Sequence, residues 1–447
     1  MIILSLNSGS SSLKFQVFDY EKGETLSTGI VERVTIGGSF IKFCRHNEEA
    51  QKVQHECPDH RAAMKLILEV LTHPDTGVVK DLKEIAAVGH RVVHGGEYFA
   101  RSVRIDADII RILKDLYHLA PLHNPPNVLG IEAAMEAMPD VPHVAVLDTA
   151  WHQTMPRQCY LYALPHEWYE QHGIRRYGFH GTSLLYCTKR AAVLLGKDPL
   201  AVNLVVLHIG NGASANAVRE GRSYDTSMGL TPLEGLVMGT RAGDHDAAID
   251  LAMMEKLGKT PKEMNDILNK KSGLLGITNG RFADRRDIEE AARNGDELAQ
   301  AAIDIEVHRL KKYVGAYMAA IGGADALVFT AGVGEMSATI RGRVCEGLEF
   351  LGIRLDPEKN RMARTRNAEV CISRDDSPVK VFVIPTDEER VIIEDTVAIL
   401  NGTYDDHTRF VYPFQKPDYV NHQRRQEFER ECEQKPGLRA LEVRAPG

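Results

Sequence analysis

Leu204-Val205-Val206-Leu207-His208-Ile209 runs into Gly210-Asn211-Gly212 and out through Ala213-Ser214-Ala215-Asn216-Ala217-Val218. An apolar β-favouring run, a Gly-bearing turn and a second short run predict a buried strand hairpin. The amino terminus echoes it: residues 2–6 and 14–18 flank Asn7-Ser8-Gly9-Ser10-Ser11-Ser12. Aligning Gly9 with Gly212 superposes the two loops, and an echo at that distance predicts two similar halves rather than a solenoid of short repeats.

The segments between and after the loops agree with this division. Helical periodicity occurs at about 60–72, 106–119, 127–138, 182–195, 246–257 and 296–321, with strand-like runs at 86–93, 143–147, 326–330 and 381–384. A helix is expected from about 387 to 400, opened by a capping box of Thr386 and Glu389. Alternating strands and helices predict a mixed α/β sheet in each half. Residues 401–447, rich in Pro and then in charge, read as a partly helical appendage frayed at its end.

Composition narrows the function. The 447 residues carry 54 Lys+Arg against 62 Asp+Glu, a formal charge of −8, which argues against a chain built to grip nucleic acid or anionic lipid. No apolar run approaches the ~18 residues of a membrane helix, and no signal peptide is expected. The seven scattered cysteines suggest reduced thiols in a cytoplasm.

Gly/Ser turns after strands present convergent backbone N–H groups that can bind phosphate, although each alone also fits a simple tight hairpin. The Walker pattern is absent, because Met253 stands where the first Gly before Gly258-Lys259-Thr260 belongs. Gly210 to Ala215 satisfies the dinucleotide fingerprint in letters, but β-like residues follow it where a helix is required. Arg91, after a strand, and Arg241, in a Gly-flanked loop, could hold two anions, or could be ordinary ion-pair partners. Asp148 ends a strand, where site residues or turn residues both occur. His180 lies between small residues ahead of a helix, which suits a structural histidine equally well. Glu388, left over by the expected capping box, is a candidate magnesium ligand or a first-turn acid that complements the helix dipole.

Seven motifs in order closely resemble the acetokinase family. They are Asn7 to Lys14, Gly89 to Gly96, Asp148-Thr149-Ala150, Tyr177 to Gly181, His208 to Gly212, Phe329 to Glu335 and Ile384-Pro385-Thr386. The resemblance covers residues 1–400 and implies an α/β fold of two duplicated actin-like (ribonuclease H-like) ATPase domains with an interdomain nucleotide cleft. The implied domains are 1–149 plus 385–400, and 150–384, leaving 401–447 as an extension without a counterpart in the usual pattern. It further implies reversible phosphoryl transfer from ATP to acetate, giving acetyl phosphate and ADP, with magnesium or manganese, in a homodimer.

By the same resemblance His208, Ile209, Gly210, Asn211 and Gly212 would cradle the donor phosphates. Gly332, Val333, Gly334, Glu335 and Met336, with Asp284, Arg285 and Arg286, would border the adenosine. Asn7 and Glu388 would organise the metal, and Lys14 would approach the phosphates. Arg91 would bind the acetate carboxylate, with Val93, Leu122, Phe179 and Pro232 around its methyl group. His180 and Arg241 would stabilise the transferring group while Asp148 orients the array. The chain departs from the family at Met336, usually Asn, at Gly280-Arg281-Phe282-Ala283, usually Ser-rich, and at Leu147, Trp151 and Ala242.

Chemistry fits these roles, since a carboxylate is already an anionic nucleophile at neutral pH and the barrier lies in bringing two anions in line. A propionate or butyrate kinase stays open, because one methylene changes binding by only ~1–3 kcal/mol. So does a non-catalytic nucleotide switch that shares the loops.

Overall fold

The computed structural model describes every residue except Asn47 and Gly447. The chain divides into two compact units. The first comprises Met1–Gln153, Asp387–Pro413 and Tyr419–Gln423; the second comprises Thr154–Thr386, Phe414–Asp418 and the chain from Arg424.

The first unit is built on strands β1 (Ile2–Ser8), β2 (Ser12–Asp19), β3 (Glu24–Glu32), β4 (Phe40–Arg45), β5 (Gln51–Gln54), β6 (Ile85–Val92), β7 (Val103–Arg104) and β8 (His143–Leu147). They form one sheet in the order β5-β4-β3-β2-β1-β6-β8-β7. The second unit contains β9 (Leu204–Ile209), β10 (Ala213–Arg219), β11 (Arg222–Thr226), β12 (Ala326–Thr330), β13 (Val370–Cys371) and β14 (Lys380–Val383), in the order β11-β10-β9-β12-β14-β13.

One pattern occurs twice. β3-β2-β1 is antiparallel and is followed by parallel β6 and β8; β11-β10-β9 is antiparallel and is followed by parallel β12 and β14. The registers correct the expected loop alignment. Ser8 pairs with Leu13 and Ile209 with Ala213, so Gly9 opens its turn as Gly210 does, and Gly212 closes the other. Asn7 and His208 therefore hold equivalent strand-end positions. Between the last paired residues lie four in the first hairpin (9–12) and three in the second (210–212), which is why matching glycines by letter misleads.

Period-2 alternation sets the two faces of β1. Leu4 and Leu6 pack with Ala63, Met64, Ile67 and Leu71 of the helix His60–Thr72. Ile3 packs on the other face with Ile393 and Val397 of the helix Glu388–Leu400. This last helix does not begin with the expected capping box. Its N-cap is Asp387, which accepts from the Arg390 N–H at 3.1 Å, while the Thr386 hydroxyl donates to Ser183 Oγ at 2.7 Å. A short-range S/T-x-x-E match lost to a better cap one residue on and to a tertiary partner.

The stretch 401–447 is also not an appendage. In the first unit Tyr412 donates to Asp395 Oδ1 at 2.8 Å, and Ser102 and His407 bond Asp395 Oδ2 at 2.6 and 2.9 Å, all buried. In the second, the Phe414 ring lies 4.8 Å from Tyr186, and the helix His422–Gln434 buries Phe428. Its few apolar residues are spaced by a charged run that masks them in a composition reading. All seven cysteines are free, and no helix among the described residues is long and apolar enough to cross a membrane.

Candidate active site

In the first unit, β6 ends beside β8, which brings Arg91 to Asp148. The fork is bidentate: Nε donates to Oδ1 at 2.9 Å and Nη2 to Oδ2 at 2.6 Å, while Nη1 donates to Asn7 Oδ1 at 3.3 Å. Three of the five guanidinium N–H groups are thus engaged, and the remaining two can meet a further acceptor. Burial works against the Arg91 charge, but Asp148 and then Glu388 outweigh it and hold the guanidinium above its ordinary value. The Asp148 carboxylate is fully buried.

Glu388 Oε1 is buried with no hydrogen-bond partner among the described residues. Burial pushes its carboxyl up to about 7, against the pull of Arg91. An orphaned carboxylate oxygen is costly unless something cationic completes it. Asn7, half-buried, is the other expected metal ligand, and Lys14 is exposed on β2, its charge felt at Glu388. Val93 is buried beyond Arg91, its N–H bonded to Asn127 Oδ1 at 2.9 Å, and Leu122 is exposed.

In the second unit, His180 adopts φ 58° and ψ 26° at the start of the helix Gly181–Leu195. A left-handed conformation at a non-glycine residue costs of order 1–3 kcal/mol, and such strain concentrates at functional sites. The ring stacks on His208 at 4.1 Å and 15°, and its Nδ1 bonds Ser214 Oγ at 3.0 Å. His208 Nδ1 bonds Ser183 Oγ at 2.8 Å.

Arg241 reaches the same turn. A Cβ placed on Gly212 would lie 2.5 Å from Arg241 Nη2 and 3.4 Å from the His180 ring. Arg241 Nη1 donates to the Pro232 carbonyl at 2.8 Å, and no carboxylate pairs with this guanidinium among the described residues. Burial lowers its pKa to about 10. The loop is closed by the Gly239 N–H on the Asn211 carbonyl at 3.0 Å. Phe179 is buried and Pro232 half-buried.

The residues expected around the adenosine are placed less uniformly. β12 leads directly into the short helix Ala331–Met336, with Ala331 at φ 63°. Gly332 and Val333 are half-buried, and Gly334 packs on Phe329. Glu335 is buried, accepts from the Thr386 N–H at 3.2 Å, and is held above the usual carboxylate range by burial. The Met336 carbonyl accepts from Arg364. Asp284 caps the helix Arg285–Arg293 and is chelated by exposed Arg286. Arg285 turns inward to an ion pair with buried Glu306.

Several supporting groups escaped the reading of the sequence. Ser183 and Ser214 hold the two histidine rings. Buried Asn124 and Asn127 bond the backbone of 93–94, and Asn127 also reaches the Ser8 carbonyl at 2.6 Å. Paired asparagines around Pro125-Pro126 at a helix start were the available hint.

Known proteins resemble the chain along most of its length. A family model described as the acetokinase family matches residues 2–394. The chain is 60% identical to an acetate kinase of Geobacter metallireducens over 420 residues, 94% of this chain and 100% of that one. It is 53% identical to an acetate kinase of Treponema pallidum over 444 residues, 99% of each, so the tail has a counterpart there. Among solved structures, an acetate kinase of Porphyromonas gingivalis superposes with a TM-score of 0.85 at 46% identity, covering 89% of this chain and 99% of that one. A propionate kinase of Francisella tularensis gives 0.82 at 42% identity with the same coverages. With a mixed α/β fold of two sheets in common with these structures, the chain belongs to the acetokinase family of carboxyl-group phosphotransferases.

Proposed function

We propose that this chain transfers a phosphoryl group reversibly between ATP and acetate, forming acetyl phosphate and ADP by direct in-line attack. The observation that carries the reading is Arg241: a guanidinium drawn into the protein beside the Gly210–Gly212 turn and His180, without a carboxylate to balance it. A desolvated cation without a carboxylate partner is one held for an anion.

In the proposed reaction an acetate oxygen bonds the γ-phosphorus as the bond to the ADP oxygen breaks, and no proton needs to be removed first. Arg91 holds the acceptor carboxylate with the N–H groups that Asp148 and Asn7 leave over. Asp148 orients that fork and abstracts nothing. His180 and Arg241 donate to the equatorial oxygens of the transferring group, where charge is spread in a loose transition state. Residues 208–212 receive the donor phosphates, and 332–336 and 284–286 lie toward the adenosine.

Magnesium fits the residues present: Glu388 offers an unsatisfied buried oxygen and Asn7 an amide oxygen. Magnesium is commonly held by one or two side chains together with phosphate oxygens. When bound, it would offset charge on the phosphate oxygens; manganese would serve in the same way. A cytoplasmic homodimer completes the reading.

Arg91→Ala and Arg241→Ala should each lower turnover by at least about a hundredfold; the melting temperature should stay near wild type in Arg241→Ala and fall in Arg91→Ala, which leaves buried Asp148 without its partner. Acetyl phosphate trapped as the hydroxamate reports the product. Near-native turnover in either variant refutes the assignment. The propionate kinase at 42% identity makes an acetate, propionate and butyrate series, compared by kcat/KM, the measurement that fixes the acceptor.

A further inference from the structure

The tail reaches the candidate active site through a short run of hydrogen bonds inside the second unit. Arg424 donates from Nη1 to the Pro385 carbonyl at 2.9 Å and from Nη2 to the Thr386 carbonyl at 2.6 Å. The Thr386 N–H is bonded to Glu335 Oε1 at 3.2 Å, and its hydroxyl donates to Ser183 Oγ at 2.7 Å. Ser183 Oγ bonds His208 Nδ1 at 2.8 Å, and the His208 ring stacks on His180.

We propose that Arg424, Thr386 and Ser183 form a positioning relay that holds His208 as the Nε2–H tautomer, with its donor toward the Gly210 turn. The argument is one of proton count. A serine oxygen can accept twice but has one hydrogen to give; Ser183 is buried, and Thr386 and His208 are the hydrogen-bond partners of its hydroxyl among the described residues, so once it accepts from Thr386 its own hydrogen goes to His208 Nδ1. Nδ1 is then an acceptor, and the imidazole proton sits on Nε2. A Cβ built on Gly210 would lie 3.8 Å from that Nε2, which puts the donor on the turn that is read as the phosphate cradle. Two carbonyls clamped by one planar guanidinium hold the backbone from which the Thr386 hydroxyl reaches Ser183. Arg424 touches neither reacting group; its effect passes through Thr386 and Ser183. The inference rests on the reading of His208 and His180 as phosphate-facing groups.

The test uses the full-length enzyme. Arg424→Ala and Thr386→Val should each lower kcat about 10- to 100-fold, the range for lost support of an active-site ligand, with KM for acetate within about threefold. Thr386→Ser, which keeps the hydroxyl, should retain most activity, and added guanidinium should restore part of the loss in Arg424→Ala. Nitrogen NMR of the histidine side chains, with the His208 signals assigned through His208→Asn, should show Nε2–H in the wild type and a mixed tautomer in Thr386→Val. An Nδ1–H tautomer in the wild type overturns the proposal. So does wild-type turnover in Thr386→Val, or equal loss in the Ser and Val variants. His180→Ala separates the two levels: if it is inactive while Thr386→Val is normal, only the relay fails; if it is fully active, the underlying reading fails.

Discussion

Replacing Gly212 by alanine tests the convergence of Arg241 and His180 with a single methyl group. The Gly212 backbone is not in the left-handed region, so alanine meets no conformational penalty there. Its Cβ would lie 2.5 Å from Arg241 Nη2, about 0.9 Å short of an ordinary 3.4 Å contact. The contact is with the far end of a flexible side chain, so the guanidinium yields at little cost to stability. Function is less forgiving, because a misplacement of about 1 Å near the chemistry costs about 10²-fold. Gly212→Ala should therefore lower kcat about a hundredfold, or about 2.7 kcal/mol on the barrier. Its melting temperature should remain within a few degrees of wild type. Initial rates of acetyl hydroxamate formation at saturating ATP and acetate measure the first, and a thermal scan the second. A kcat within threefold of wild type would refute the idea that Arg241 must lie where it does. A large fall in melting temperature would show that the turn itself had been broken.

Gly315, in the middle of the helix Glu297–Ile321, has nothing within 4 Å of an added Cβ. Gly315→Ala should stabilise by roughly 0.5–1 kcal/mol in urea titrations with unchanged turnover. His90 and His143 are buried against each other, Nε2 to Nδ1 at 2.9 Å, and burial lowers both pKa values below 6.5. Such groups favour the fold while neutral, so their contribution is complete above about pH 6.5 and is lost as the pH falls below it. Each can add up to ~1.4 kcal/mol of loss per pH unit, and denaturation at pH 7.5 and 5.5 should show the slope flattened in a His90→Gln/His143→Gln variant. Tyr412→Phe removes the 2.8 Å donor to buried Asp395 and should cost roughly 1.5–3 kcal/mol; no measurable loss would mean that the tail is not held there.

Much of the architecture was legible because local pattern and burial agree. β9, β12 and β14 are continuous apolar runs of the kind that only a sheet covered on both faces can use. The helices His60–Thr72 and Glu297–Ile321 carry their caps and periodicity in the chain itself. The errors occurred where a local signal had two possible partners. Thr386 could have capped a helix, and instead bonds Ser183. The tail concealed Tyr412, Phe414 and Phe428 among charges, since three aromatic residues bury ample surface without producing a visible period.

The amino-acid sequence alone determined that there are two α/β halves with a glycine-bearing turn in each, and which residue types could manage anions. Those depend on short-range periodicity and on side-chain chemistry, which the chain carries wherever it goes. Tertiary structure alone decided the register that makes Asn7 and His208 equivalent, the fork of Arg91 on Asp148, the left-handed turn at His180, and the run from Arg424 to His208. The fork and the run join residues tens to hundreds of positions apart, and a hydrogen bond depends on distance and direction in space, neither of which a linear order of residues contains.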